Sequence, residues 1–288
     1  VNLREKLAGG KFVVTCEVGP PKGVDVTDMR RSAEGVRGKV DAVNVTDQQS
    51  SVMRLGSLAG CCLLKQWGIE PVLQMTCRDR NRIALQSDLL SAYVLGIENV
   101  LCLTGDYVSL GDHPEAKPVF DLDSVSLIEA ARELEKGRDL AGKELRGSPR
   151  FFIGACVTPE ADLLEPQIIK MEKKVESGAQ FFQSQAVYDA RRFADFMAMV
   201  QYMNVPVLAG IVVLRSAAMG RHMNEKAAGI RVPQGLIDEM DKADDKSAKG
   251  VEIAARTIGE VKGLCQGVHI MTIGMEKRVS DIIDAAGL

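Results

Sequence analysis

Apolar runs along this chain end again and again in a carboxylate, an amide or a hydroxyl: FVVTCEVGPP at 12–21, VDAVNVTD at 40–47, VLQMTC at 72–77, NVLCLTGD at 99–106, FFIGACVTPE at 151–160, FFQSQ at 181–185, VPVLAGIVVLR at 205–215 and GVHIMTIG at 267–274. Runs this short and this continuously apolar suit strands covered on both faces. Stretches with helical spacing separate them. The pattern predicts an α/β fold of eight parallel strands, a (β/α)8 TIM barrel, with the polar strand ends gathered at one mouth.

The intervening segments carry regular start and stop signals. Asp25 or Thr27 is expected to cap a short helix after the first run, and Ser50 or Ser51 the helix after the second, before Pro71 resets the backbone. DRNRIALQSDLLSAYVLG reads as an amphipathic helix closed by Gly96. Residues 107–119, with two prolines and a glycine, form a long loop at the end of the barrel where lids and cofactor loops sit. Asp123 or Ser124 caps the next helix, and Pro166 predicts a broken entry or a restarted first turn in the one after it. Two short helical pieces flank RVPQG before a final helix over GVEIAARTIGEVKGL. With no break in composition, residues 1–288 are expected to form one domain.

Composition narrows the function classes. A net charge of -3 over 288 residues gives nucleic acid or an anionic membrane no electrostatic footing. No apolar run approaches membrane-spanning length, and charges interrupt the first twenty residues, so a cytoplasmic location is expected. Seven cysteines without a CxxC pair read as small buried hydrophobes in a reducing compartment. Only His113, His222 and His269 accompany them, and no metal-ligand spacing emerges. Candidate chemistry therefore falls to the strand ends: Glu17, Thr46, Gln74, Asp106, Glu160 and Gln185. Any one can be a helix cap, but a barrel brings all of them to the same mouth.

The order and spacing of EVGPPKG at 17–23, LQMTCRDRN at 73–81, LTGD at 103–106, TPEA at 158–161, KKVESGAQFFQSQAVYD at 173–189 and HIMTIG at 269–274 resemble the methylenetetrahydrofolate reductase family over almost the whole chain. The resemblance implies a flavin-dependent barrel, of the compact bacterial type, that reduces the methylene bridge of 5,10-methylenetetrahydrofolate to a 5-methyl group. It gives Glu17 the role of general acid, or of its controller, because ring opening needs a proton at folate N10. A carboxyl donates one at neutral pH only from an apolar or anionic setting, which Cys16, Val18, Pro20 and Pro21 would supply. Asp106 would stabilise the 5-iminium cation, and Gln185, or Gln183 in its place, would orient the folate. Thr46 and Gln74 match positions facing the isoalloxazine, Gly105 and Asp106 belong to the cofactor loop, Glu160 to a ribityl or phosphate loop, and Lys174 to the flavin phosphate.

Several positions depart from the family pattern. Thr104 and Thr158 replace an arginine and a histidine that reach the flavin tail, so FAD is implied with FMN as the alternative. Met219 replaces an aromatic residue packed against nicotinamide and folate, and Met275 replaces an arginine able to meet the folate carboxylate. The electron source is accordingly NAD(P)H or a redox partner protein, with the chain an oligomer or a complex subunit and Cys61 or Cys62 surface cysteines near a partner contact. A flavin-binding electron-transfer or scaffold subunit without efficient folate chemistry is the alternative function.

Overall fold

The computed structural model describes residues 2–227 and 229–288. Helix α1 (Leu3–Ala8) opens on a capping box in which the Asn2 side chain accepts the Glu5 N–H and Glu5 accepts the Asn2 N–H in return. The βα units follow in chain order: β1 (Val13–Val18), α2 (Thr27–Val36), β2 (Ala42–Val45), α3 (Ser57–Gln66), β3 (Pro71–Thr76), α4 (Arg82–Val94), β4 (Asn99–Leu103), α5 (Ser124–Glu135), β5 (Phe152–Val157), α6 (Leu164–Ser177), β6 (Phe181–Ala186) and α7 (Ala190–Val200). The chain closes with β7 (Val207–Val212), α8 (Ala217–Lys226), α9 (Gln234–Lys242), α10 (Lys246–Val261), β8 (Gly267–Met271) and α11 (Val279–Ala285). All eight strands are parallel and β8 pairs with β1, so the sheet is the closed barrel expected from the apolar runs.

Alternation along each strand divides the core in two. Val14, Cys16 and Val18 of β1 pack outward with the helices in the main core. Val13 faces inward and joins Leu101, Phe152, Phe181 and Leu208 in an apolar floor that Leu3 and Leu7 of α1 close from below. Phe152 and Phe181 stack there with centroids 4.7 Å apart. Gly154 makes room for them, since a Cβ at that position would lie 2.3 Å from Phe181 Cζ.

Four details differ from expectation. Helix α2 starts at Thr27 with Val26 as its cap, because the Asp25 carboxylate accepts the Thr27 N–H in a local turn instead. Neither Ser50 nor Ser51 caps α3, which begins after Gly56; both serines are left-handed, and Ser51 Oγ donates to the carbonyls of Asp106 and Tyr107. Pro166 leaves α6 unbroken because it falls in the first turn, where backbone N–H groups have no intrahelical acceptor. Cys61 is fully buried between α3 and the barrel and so offers no surface thiol, whereas Cys62 is half-buried. All seven cysteines are free, and among the described residues no helix is long and apolar enough to cross a membrane.

The close approach at Gly154 sets a test of the floor. Gly154→Ala is expected to destabilise the protein by about 1–3 kcal/mol through overpacking against Phe181. Gly259→Ala, on the open face of α10 with nothing within 4 Å of the new methyl, should stabilise it by up to about 1 kcal/mol. Urea titration of the two variants measures both signs.

Candidate active site

Above the apolar floor the barrel interior turns polar. Asn44 Nδ2 donates to Gln183 Oε1 at 2.7 Å, and Gln183 Nε2 returns a bond to Asn44 Oδ1 at 3.2 Å. The same Gln183 nitrogen lies 3.3 Å from Thr15 Oγ1 and 3.4 Å from His269 Nδ1, and Thr15 Oγ1 is 2.9 Å from that ring nitrogen. All four residues are buried, so this layer satisfies itself. Glu17 stands one inward position above Thr15, with Oε2 3.8 Å from His269 Nε2 and Oε1 3.5 Å from Gln49 Nε2.

Strand β6 reaches the mouth with one residue too many for β7. Gln183 pairs with Leu208 but Ala186 pairs with Gly210, three steps on one strand against two on the other. Ser184 fills the gap, its Oγ accepting the Gly210 N–H at 2.8 Å and donating to the Gln185 carbonyl at 2.7 Å. Any side chain at residue 210 would meet the Ser184 carbonyl at 2.2 Å, hence the glycine. Gln185 is thereby delivered to the mouth with its side-chain amide unengaged among the described residues, whereas that of Gln183 is spent inside the barrel.

The mouth encloses a cavity of about 410 Å³. Glu17, Gln74, Gly105, Asp106, Lys174, Gln183 and Gln185 all line it. Asp106 is exposed, yet its backbone is fixed: its carbonyl accepts from Arg78 Nη1 at 3.3 Å and Ser51 Oγ at 3.2 Å. Arg78 is itself buried, ties the β2 loop through the Gln48 carbonyl at 3.1 Å and is neutralised by Asp79 at 2.8 Å. Gly105 permits the crossing, with φ of 98° and Thr76 and Arg78 within 3.2 Å of where a Cβ would stand.

Lys174 enters from α6 beside the end of β5. It is buried, with Nζ donating to the Cys156 carbonyl at 2.6 Å and no carboxylate against it among the described residues. Burial lowers its pKa, and the nearby Cys156 thiol only partly offsets that. Lys170, Gln167, Thr158, Thr104 and Ser124 line the same cavity.

Three expected residues lie elsewhere. Thr46 is buried beside Gly19 with its hydroxyl unpartnered among the described residues, outside the cavity lining. Glu160 is buried, and its Oε1 accepts the N–H groups of Tyr188 and Asp189, each at 2.8 Å, tying β5 to the loop before α7. Burial raises its pKa against those two bonds, and it borders a separate cavity of about 540 Å³ with Asp162 and Asn224. Met219 sits in the first turn of α8, against a satellite core that contains Tyr188 and Leu214.

Asp47, Gln49, Arg78 and His269 belong to the site or its frame and were not among the residues singled out from sequence. A histidine inside an apolar strand run and the CRDR that follows β3 were the available signals.

A family model described as methylenetetrahydrofolate reductase matches residues 2–287. Methylenetetrahydrofolate reductase 2 of Schizosaccharomyces pombe is 25% identical over 320 aligned positions, covering 100% of this chain and 47% of the relative. A probable methylenetetrahydrofolate reductase (NADPH) of Caenorhabditis elegans is 22% identical, covering 86% and 36%. The chain thus spans about half or less of these curated relatives. Among solved structures, an uncharacterized Clostridium thermocellum protein that binds two copies of 5-methyl-5,6,7,8-tetrahydrofolic acid superposes with a TM-score of 0.71 at 16% identity, over 99% of this chain and 97% of that one. A 2,3-dimethylmalate lyase superposes at 0.56 with 11% identity, over 99% and 84%. At such identities the likeness is one of fold alone. Family follows from the sequence match, which leaves no strand of the barrel outside it: the chain belongs to the methylenetetrahydrofolate reductase family.

Proposed function

We propose that this chain binds a reduced folate at the barrel mouth and reduces its 5,10-methylene bridge to a 5-methyl group with a bound flavin. The observation that carries this reading is the gathering of opposite charges around one cavity. Two carboxylates, Glu17 and Asp106, line it together with two amines, Lys170 and the buried Lys174. Family membership supports the reaction class, and the methyltetrahydrofolate bound by the Clostridium thermocellum barrel supports the ligand class.

The residues fit a flavin. A buried ammonium with one bond to a carbonyl has two donors left for a phosphate, and Lys170, Gln167, Thr158 and Ser124 can complete that end. Gln74 can meet the ring system. When bound, the flavin supplies the hydride.

The chain's own groups manage charge and protons. Glu17 delivers a proton to folate N10 as the imidazolidine ring opens, with Gln49 Nε2 3.5 Å from one of its oxygens and His269 Nε2 3.8 Å from the other. Asp106 has its carbonyl clamped and its carboxylate without a partner among the described residues, which leaves a negative charge at the mouth for the cation that opening creates. A carboxylate about 4 Å from that cation contributes roughly 4 kcal/mol at an effective dielectric of about 20, on the order of a thousandfold in rate. Gln185 orients the folate through its free amide.

The primary test is anaerobic. Chemically reduced flavoprotein mixed with 5,10-methylenetetrahydrofolate should be reoxidised stoichiometrically with formation of 5-methyltetrahydrofolate; a flavin that stays reduced would refute the reading. Glu17→Gln is expected to retain flavin and to slow this reoxidation by about 10²–10⁴-fold. Lys174→Met should act in two opposite directions. Flavin affinity falls, while the apoprotein gains about 1 kcal/mol or more because a buried charge with no ion-pair partner among the described residues is replaced by an apolar chain. The pH dependence fixes the sign. With the folded pKa below the ordinary 10.5, the unfolded chain binds more protons across that window, so wild-type stability rises with pH through it and the increment is absent from Lys174→Met. Urea midpoints of both apoproteins between neutral pH and about 10.5 check this.

A further inference from the structure

The loop after β2 holds a carboxylate that none of these roles uses. Asp47 lines the mouth cavity and is 5% exposed, yet it commits only one oxygen. Its Oδ2 accepts the Thr76 N–H at 2.8 Å, the Thr76 hydroxyl at 2.9 Å and Arg80 Nη2. Oδ1 has no hydrogen-bond partner among the described residues and is not among the buried polar atoms sealed from solvent.

The donors are themselves anchored. Thr76 ends β3, and the Arg80 guanidinium is held from behind by Asp88 at 3.0 Å and by the Thr76 carbonyl at 3.1 Å. Burial opposes the charge on Arg80, but Asp47 and Asp88 outweigh it and raise its pKa. The carboxylate therefore cannot turn without breaking three bonds together, and its free oxygen keeps one direction. Because Arg80 already compensates the charge, the open lone pairs suit a neutral N–H better than a second cation.

Gln74, two residues before Thr76 on the adjoining strand, lines the same cavity with its side-chain amide unengaged among the described residues and can supply an N–H donor. An acceptor next to a donor complements a lactam edge, an N–H beside a C=O. Both pterins and isoalloxazines carry one.

We propose that Asp47 Oδ1 accepts the lactam N–H of the ring compound bound at the mouth, which makes Asp47 a specificity-determining residue held in place by Thr76 and Arg80. The proposal rests on the folate and flavin reading. It adds the recognition of one ring edge.

Asp47→Asn isolates the contact. The amide oxygen can keep the Thr76 and Arg80 donors while an NH₂ replaces Oδ1, so an acceptor becomes a donor with the frame intact. Dissociation constants for FMN, FAD and 5-methyltetrahydrofolate would be measured on wild type, Asp47→Asn and Asp88→Asn; the last loosens Arg80 from its other side without changing a cavity-lining group. A loss of about 10- to 100-fold in Asp47→Asn, confined to one ligand class and absent from Asp88→Asn, is expected. Loss for the flavins assigns the isoalloxazine edge, and loss for the folate assigns the pterin edge. Unchanged constants in Asp47→Asn, or equal losses in the two variants, would overturn the Asp47 contact while leaving the functional reading in place. Wild-type protein that bound none of the three would overturn both.

Discussion

A closed barrel surrounds its middle with strands, so a polar side chain buried there finds its nearest partners on the other strands. The reciprocal amide pair of Asn44 and Gln183, from β2 and β6 on opposite sides of the barrel, is how this chain meets that demand. Removing either amide strands the other, at about 1–3 kcal/mol for a buried unsatisfied group. The pair also organises what lies around it. Gln183 reaches Thr15 and His269, and His269 in turn faces Glu17, so the acidic side chain at the mouth is supported from the interior. Below, the stacked Phe152 and Phe181 seal the floor; above, the extra residue in β6 lifts Gln185 to the rim.

The rim has no ladder to fix it, and side chains take over. Gln48, Ser50 and Ser51 are all left-handed, a conformation unfavourable for residues with a Cβ and kept only where surrounding contacts impose it. Those contacts are visible. Gln48 exchanges two bonds with the Arg54 backbone, Ser51 donates to the carbonyls of Asp106 and Tyr107, and Gly111 packs so closely on Ser51 that a Cβ would fall 1.8 Å from its carbonyl oxygen. Asp112 ties in a third loop, accepting from Lys22, His113 and the Met53 N–H, which together hold its carboxyl below the usual range. Asp106 is thus an exposed residue on a loop that three neighbouring segments hold still.

Strand existence was legible in the chain because continuous apolar runs of this length have few other uses, and all eight runs became strands. Side-chain direction was legible only while the strand lasted. Thr15 and Glu17 both face inward as alternation requires, but β2 ends at Val45, and beyond it Asp47 rather than Thr46 reaches the cavity. Glu160 lies three residues past the end of β5 and turns to the N–H groups of Tyr188 and Asp189. The serines at 50 and 51 illustrate the same limit, for a side chain that can cap a helix can equally bond a loop more than fifty residues away. Arg78 carried no periodic signal at all, since its role depends on which loops the barrel makes adjacent.

Unspent polar capacity is distributed unevenly through this molecule. Within the barrel Thr15, Asn44, Gln183 and His269 are all paired, whereas at the mouth, among the described residues, Gln185 and Asp106 keep free side chains, Asp47 keeps a free oxygen, and Lys174 keeps a buried ammonium against a lone carbonyl. Stability alone would favour an apolar side chain at position 174 and a donor opposite Asp47. A ligand with an anionic end, a lactam edge and a centre of developing positive charge supplies what each of these groups lacks, and by binding the folded chain alone it adds stability in proportion to the logarithm of its saturation. The incomplete mouth is therefore the part of the barrel whose energetics close only when it is filled.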